Sequence, residues 1–174
     1  MSLALVGLET LAQSPEVWAH ELLADADGLG GYGLIVLLAA VPLLEILVVI
    51  PIGVGLGFQP VAVAVAAFGG NLLPIYGLIV AHKRLEAYLE NRKDDAEPSK
   101  RRQRAKQLWE RYGLAGLAIA SPVTTGVHLA AVFALGLGSS RRATALWMTA
   151  SIAAWTVLIT LGSVFALSTI QTLV

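Results

Sequence analysis

The 174-residue chain contains no cysteine. Disulfides, thiolate metal sites and cysteine nucleophiles are therefore excluded. Lysine and arginine are absent from residues 1–82, and no charged side chain follows Arg142. Charge is scarce overall, at 14% of residues, against about a quarter in a soluble domain. The N-terminus lacks the basic region of a secretory signal peptide, and the apolar stretch Leu3 to Leu11 is too short to suggest one that is cleaved. Enzyme signatures are missing as well: there is no H-E-x-x-H, no P-loop and no G-x-S-x-G. Ser121 and His128 supply two members of a serine hydrolase but no patterned oxyanion hole. The expectation is a protein that is not an enzyme and needs no cofactor and no metal.

What is present is apolar sequence. Hydrophobic residues make up 56% of the chain, and mean hydropathy is +0.72. Apolar runs of about twenty residues recur, which predicts an all-α polytopic integral membrane protein. Residues 1–31 read as an amphipathic leader. Pro15 can open a helix there, with Val17, Trp18, Leu22 and Leu23 on one apolar side. That side is expected to lie on the bilayer with Trp18 at headgroup level. Asp27, Gly28, Gly30 and Gly31 are expected to break the helix. Residues 32–174 form a single membrane domain. It comprises an interrupted apolar segment (32–58), a cleaner span (61–81), a hydrophilic segment (82–111), a second interrupted segment (112–138) and a last span (143–168). Within the hydrophilic segment, a helix over Lys83–Lys93, a turn at Asp94–Pro98 and a second helix capped by Ser99 and running through Glu110 are predicted.

The chain repeats itself. Tyr32-Gly33-Leu34 leading to Pro42 returns about eighty residues later as Tyr112-Gly113-Leu114 leading to Pro122, with Leu37 matching Leu117 and Ala40 matching Ala120. Gly55-Leu56-Gly57 matches Gly136-Leu137-Gly138 after a one-residue slip. Each copy, 32–81 and 112–168, is a proline-broken apolar stretch followed by a cleaner one. Such breaks at matching places in two halves point to a transporter-type site near the membrane midplane.

Charge position predicts topology. Ten bases from Lys83 to Arg111 put residues 82–111 in the cytoplasm by the positive-inside rule. If 112–138 crossed the bilayer once, Arg141 and Arg142 would lie outside, against that rule. If it dips in and returns, both basic groups are cytoplasmic and the acidic leader is outside. Proline breaks a helix, and non-helical backbone at membrane depth survives only when buried in protein or lining a cavity. Each half is thus expected to be a re-entrant hairpin plus a span, giving an inverted repeat; two ordinary kinked spans are the alternative. Pro42, Pro51, Pro74, Pro122 and Gly126 are its expected structural residues.

Glu45 is the one acid or base in its long apolar run. A carboxyl at that depth must be paired, wet or protonated, and an ionisable residue there is a functional candidate by default. It suits proton coupling; the alternative is a protonated side chain bonding a broken helix end. Ser121, Thr124, Thr125 and His128 flank Pro122, with Thr125 opposite Glu45 in the repeat. They can bind substrate or relay protons, or the hydroxyls can serve carbonyls that Pro122 frees. His128 can share a proton with Glu45 or simply be hydrogen-bonded. Asn71, inside Gly69-Gly70-Asn71-Leu72-Leu73-Pro74, either packs against a hairpin or contacts substrate. Nucleic acid is not an expected partner, because Glu86, Glu90, Asp94, Asp95, Glu97 and Glu110 dilute the basic segment.

Pro42-Leu43-Leu44-Glu45 continuing to Ile50-Pro51-Ile52-Gly53, then Gly70-Asn71-Leu72-Leu73-Pro74 and Ser121-Pro122-Val123-Thr124-Thr125-Gly126, resemble the putative small multidrug export proteins. That prokaryotic family is distantly similar to the DedA or VTT-domain superfamily. The resemblance covers about residues 32 to 168. It implies two re-entrant hairpins facing each other in a prokaryotic cell membrane, with transport or lipid handling as function. The chain departs from the pattern at Leu47, where an arginine is usual, and at Thr124, Thr125 and His128, where proline, glycine and a nearby tryptophan are usual. The combined expectation is a small secondary transporter, proton-coupled through Glu45, whose partners are the bilayer, protons and a small-molecule or lipid substrate. A homodimer is expected because so few helices barely enclose a site. A scramblase-like lipid translocator without ion coupling and a non-transporting scaffold are the alternatives.

Overall fold

A computed structural model describes residues 14–26, 28–81 and 100–173. Among them the chain is all-helical: α1 (Pro15–Ala24), α2 (Gly28–Ala39), α3 (Glu45–Gly55), α4 (Pro60–Val80), α5 (Lys100–Thr124), α6 (Val127–Gly136) and α7 (Arg141–Leu173). The predicted helix over Lys83–Lys93, the turn at Asp94–Pro98, the Ser99 cap and Asp27 lie outside the described residues. Helix α5 follows the expected hydrophilic helix but continues into the next apolar segment. Gly113 (φ 64°, ψ −158°) kinks it there, separating a basic arm from an apolar one. A left-handed φ costs glycine nothing sterically.

The element pattern repeats as short, short, long. Helices α2, α3 and α4 are followed by the apolar arm of α5, α6 and α7. The second short helix ends identically in both copies. Gly57 (φ 87°) and Gly138 (φ 90°) take the left-handed position. Phe58 N–H then donates to Gly53 O at 3.1 Å, and Ser139 N–H to Ala134 O at 2.9 Å. These are matched Schellman caps, which close the last carbonyls of a helix through a left-handed glycine. Counted back from the caps, Gly126 falls opposite Glu45 and His128 opposite Leu47. Thr125, expected opposite Glu45, falls opposite Leu44.

The chain divides into two compact units, Met1–Gly70 with Leu158–Val174, and Asn71–Val157. Helices α4 and α7 run through both, so the units are not the repeats. In the first unit, α1 packs on α2 and α3, and α2 packs on α3. The leader helix docks through Ala19 and Leu23, both fully buried, while Val17, Trp18 and Leu22 face outward. The helix breaks after Ala24, as expected, but the break is shorter than the glycine-rich stretch. Gly28 (φ 52°) makes the turn, and α2 then runs through Gly30 and Gly31, the latter pressed against the Phe58 ring. Tyr32 meets the same ring edge-on at 5.4 Å and accepts the Gln59 N–H at 3.1 Å. Ile35, Leu38, Ile46, Val49, Ile50 and Val63 fill the core. In the second unit, α5 packs on α6, where Ala130, Ala131 and Ala134 are fully buried and let the helices approach.

Two helices are long and apolar enough to cross a membrane. Helix α4, 21 residues long, has an 18-residue apolar window only 33% buried by protein. The window in α7, a 33-residue helix, is 17% buried. At 1.5 Å per residue α4 measures about 31 Å, close to the thickness of a hydrocarbon core.

Gly70 is where α4 comes closest to α2: a Cβ there would fall on the Val36 backbone, which has no flexible end to yield. Gly70→Ala is expected to lower stability by about 1–3 kcal/mol, the cost of overpacking a close contact. Gly69→Ala, which meets open space, is expected to gain about 0.5–1 kcal/mol from helix propensity. Thermal unfolding of the detergent-solubilised variants, followed by circular dichroism, checks both signs.

Candidate functional site

Each interrupted segment breaks between two consecutive helices that pack on each other, and the expected site residues other than Asn71, Pro51 and Pro74 lie at or near these breaks. In the first unit the turn spans residues 40–44, between α2 and α3. Pro42 sits in it, exposed, and Pro51 lies farther on inside α3. Leu43 (φ 102°) and Glu45 (φ 30°) are the only non-glycine residues with positive φ among those described. Such conformations cost about 1–3 kcal/mol each and persist where the surrounding structure enforces them, commonly at functional sites. Glu45 opens α3 and is 6% exposed. It is the only buried polar or charged residue described in this unit. At that helix start the Leu44 and Glu45 N–H groups both donate to Val41 O, at 3.2 and 3.4 Å.

In the second unit the turn falls at Thr125–Gly126, three residues past the proline expected to make it. Pro122 is buried inside α5. Gly126 (φ 83°) makes the turn instead, its N–H reaching Ser121 O at 2.7 Å. What Pro122 does is free the Ala118 carbonyl, because a proline at i+4 has no N–H to give it. Two hydroxyls take its place: Ser121 Oγ donates at 2.8 Å, and Ser151 Oγ from α7 at 2.7 Å. Trp155 Nε1 donates to the next carbonyl, Ile119, at 2.8 Å, and Thr124 Oγ1 to Ala120 at 2.8 Å. Ser121 and Thr124 therefore serve backbone, one of the two roles open to them. Thr125 is 3% exposed, with a long 3.4 Å bond to the Gly126 carbonyl. His128 is 5% exposed in the first turn of α6.

Asn71 differs from all of these. It is fully buried on α4, and neither its Nδ2 nor its Oδ1 finds a hydrogen-bond partner among the described residues. Thr156 Oγ1 on α7, in the same unit, is also buried and without a partner there. Each such atom costs about 1–3 kcal/mol when left unsatisfied. Sequence reading picked out Asn71 but missed Ser151, Trp155 and Thr156. The last span reads as continuously apolar, and nothing in its pattern separates a hydroxyl that serves its own helix from one that does not. In the first unit, an open apolar groove of about 400 Å³ is lined by Pro51, Gly55, Gly162, Ser163, Ala166 and Ile170, among others. It offers little polar chemistry, because Ser163 Oγ is bonded to Ile159 O at 2.8 Å. No group of three or more His, Cys, Asp or Glu capable of holding a metal occurs among the described residues.

The described residues are all-helical, with two long apolar helices little buried by protein and buried polar residues at the helix breaks, which is the build of a membrane protein. The chain belongs to the putative small multi-drug export protein family, whose model matches residues 45–158. The match begins at Glu45 and takes in Asn71, both long helices' shared unit and the second turn. No curated protein and no solved structure matches the chain.

Ser151 and Pro122 make a testable pair. Ser151→Ala is expected to cost about 1 kcal/mol, the net worth of one neutral hydrogen bond. In a Pro122→Ala background, where residue 122 regains its N–H, the same change is expected to cost less. A double-mutant cycle on unfolding midpoints measures the difference, and strict additivity would contradict the assignment.

Proposed function

We propose that the protein is a small secondary transporter that exports a small molecule in exchange for protons, with Glu45 as the coupling acid. The family's name supports export. The observation that carries the coupling role is Glu45 itself, the one buried carboxyl among the described residues, at the start of a short helix in a turn with two positive-φ non-glycine residues. A carboxyl that opens a short helix next to a strained turn is placed to pass a change of charge on to the backbone around it.

The same reading makes the helix pairs re-entrant and the repeat inverted. Helix lengths support it: α2, α3 and α6 have 12, 11 and 10 residues. At about 15–18 Å each, they reach roughly half of a 30 Å hydrocarbon core. A hydrogen bond supports it independently. Tyr76 Oη and Thr149 Oγ1 lie 3.0 Å apart. Tyr76 stands four residues before the end of α4, and Thr149 eight after the start of α7. Were those two helix ends on opposite faces of the bilayer, the residues would sit some 10 Å or more apart in depth. With both ends on one face they meet. That arrangement keeps Arg141 and Arg142 on the side of the basic segment, the cytoplasm.

Cells expressing the protein are expected to tolerate a panel of small toxic compounds better than vector controls. The advantage should disappear with a protonophore and in Glu45→Gln, and persist in Glu45→Asp. Tolerance undiminished in Glu45→Gln would remove the coupling acid. Lipid scrambling in proteoliposomes without any gradient would move the protein to the lipid-translocating class. Single cysteines at Ser99 and Ser140 in this cysteine-free chain test the topology: both should resist an impermeant maleimide applied to intact cells.

A further inference from the structure

Of the seven buried polar residues in the second unit, three hold a short side-chain hydrogen bond. Ser121 and Ser151 hold the Ala118 carbonyl, and Thr144 Oγ1 bonds Ser139 Oγ at 2.9 Å. The hydroxyls of α7 make the contrast sharper. Ser163, Ser168, Thr169 and Thr172 all bond carbonyls three or four residues back, and Thr149 bonds Tyr76. Thr156 and Thr160 depart from this pattern, each with a buried Oγ1 that bonds no carbonyl among the described residues; of the two, Thr156 shares a unit with Asn71. Asn71 leaves two donors and an acceptor unused among the described residues while fully buried. On the same helix, Pro74 has no N–H to give the carbonyl four residues before it, at Gly70.

We infer that Asn71, with Thr156, is the substrate-recognition point of the transporter, and that it selects an uncharged group carrying a donor beside an acceptor, as in a carboxamide. A carboxamide side chain pairs best with its own kind, giving one N–H and accepting another. A charged ligand is disfavoured. The buried polar residues of this unit are Asn71, Ser121, Thr125, His128, Thr144, Ser151 and Thr156. None is Asp, Glu, Lys or Arg, so no fixed opposite charge offsets the desolvation of an ion. A hydrocarbon is disfavoured too, since it would leave the amide unsatisfied. This deepens the export reading by naming the class of group recognised, and it separates recognition, at Asn71, from coupling, at Glu45.

The chain has two asparagines, Asn71 and Asn91, so selective 15N-asparagine labelling gives two side-chain NH2 signals, assigned with Asn71→Leu. Full-length protein in lipid nanodiscs is titrated with benzamide, and separately with benzylammonium and toluene as probes of charge and of partitioning. The expected result is a saturable shift of the Asn71 NH2 pair with benzamide alone. In Thr156→Val the half-saturation concentration should rise about fivefold, the loss expected for one neutral hydrogen bond. An Asn71 signal that does not respond, that drifts equally with toluene, or that keeps an undisturbed water cross-peak throughout would overturn the assignment. In the last case a resident water would be the amide's partner. Because the readout needs no gradient and no transport, its failure is distinct from failure of the Glu45 coupling role, which the Glu45→Gln tolerance assay reads. Saturable binding in Glu45→Gln protein would establish recognition on its own.

Discussion

The backbone hydrogen bond, in surroundings with no water to replace it, is the constraint on which this structure depends. A helix broken inside an apolar medium leaves carbonyls and N–H groups that must find partners within the protein. The treatment of Pro122 shows how strictly this holds. One carbonyl loses its helical donor and gains two hydroxyls, one local and one from α7. The neighbouring carbonyls receive Trp155 and Thr124. That accounting binds α5 to α7 with polar contacts, where apolar packing alone would leave the helices free to slide. The same logic closes α3 and α6 with identical glycine caps.

The two units distribute polarity differently. Among the described residues, the first buries one carboxyl and the Thr160 hydroxyl; the second buries several neutral groups and one histidine. A proton-binding group works best where few neighbours compete for its proton. A group that sorts neutral ligands works best where no fixed charge overrides hydrogen-bond geometry. On the roles proposed above, coupling at Glu45 and recognition at Asn71 fall in separate units.

Much of the architecture was legible in the sequence because composition and periodicity act over many residues. The all-helical apolar character, the repeat, the two long helices and the burial of Glu45 and Asn71 all follow from extended patterns. Local conformation was harder to read. Pro122 looks like a turn residue, but a helix tolerates proline when its freed carbonyl is served from outside, and Ser151 does so from 33 residues beyond Ala118 in the chain. Gly28, Gly30 and Gly31 look like a break, but only Gly28 takes a left-handed φ. Gly31 is small because Phe58 occupies its side-chain space. The register of the second turn was misjudged by one residue, because short identities such as Leu37 with Leu117 cannot say on which side of the turn the slip falls. The caps can, since both are fixed by geometry.

That slip has a consequence for how such a chain can change. Inside an α-helix, one extra residue rotates everything beyond it by about 100°. Here the extra residue of the second copy is absorbed at Thr125–Gly126, so α3 and α6 keep the same faces relative to their caps. The turn is thus a joint at which length and side-chain identity vary without reorienting the helix that follows. An acid occupies it in one copy and a glycine in the other. Duplicated halves built on such a joint are free to diverge in chemistry at their tips long before they diverge in shape.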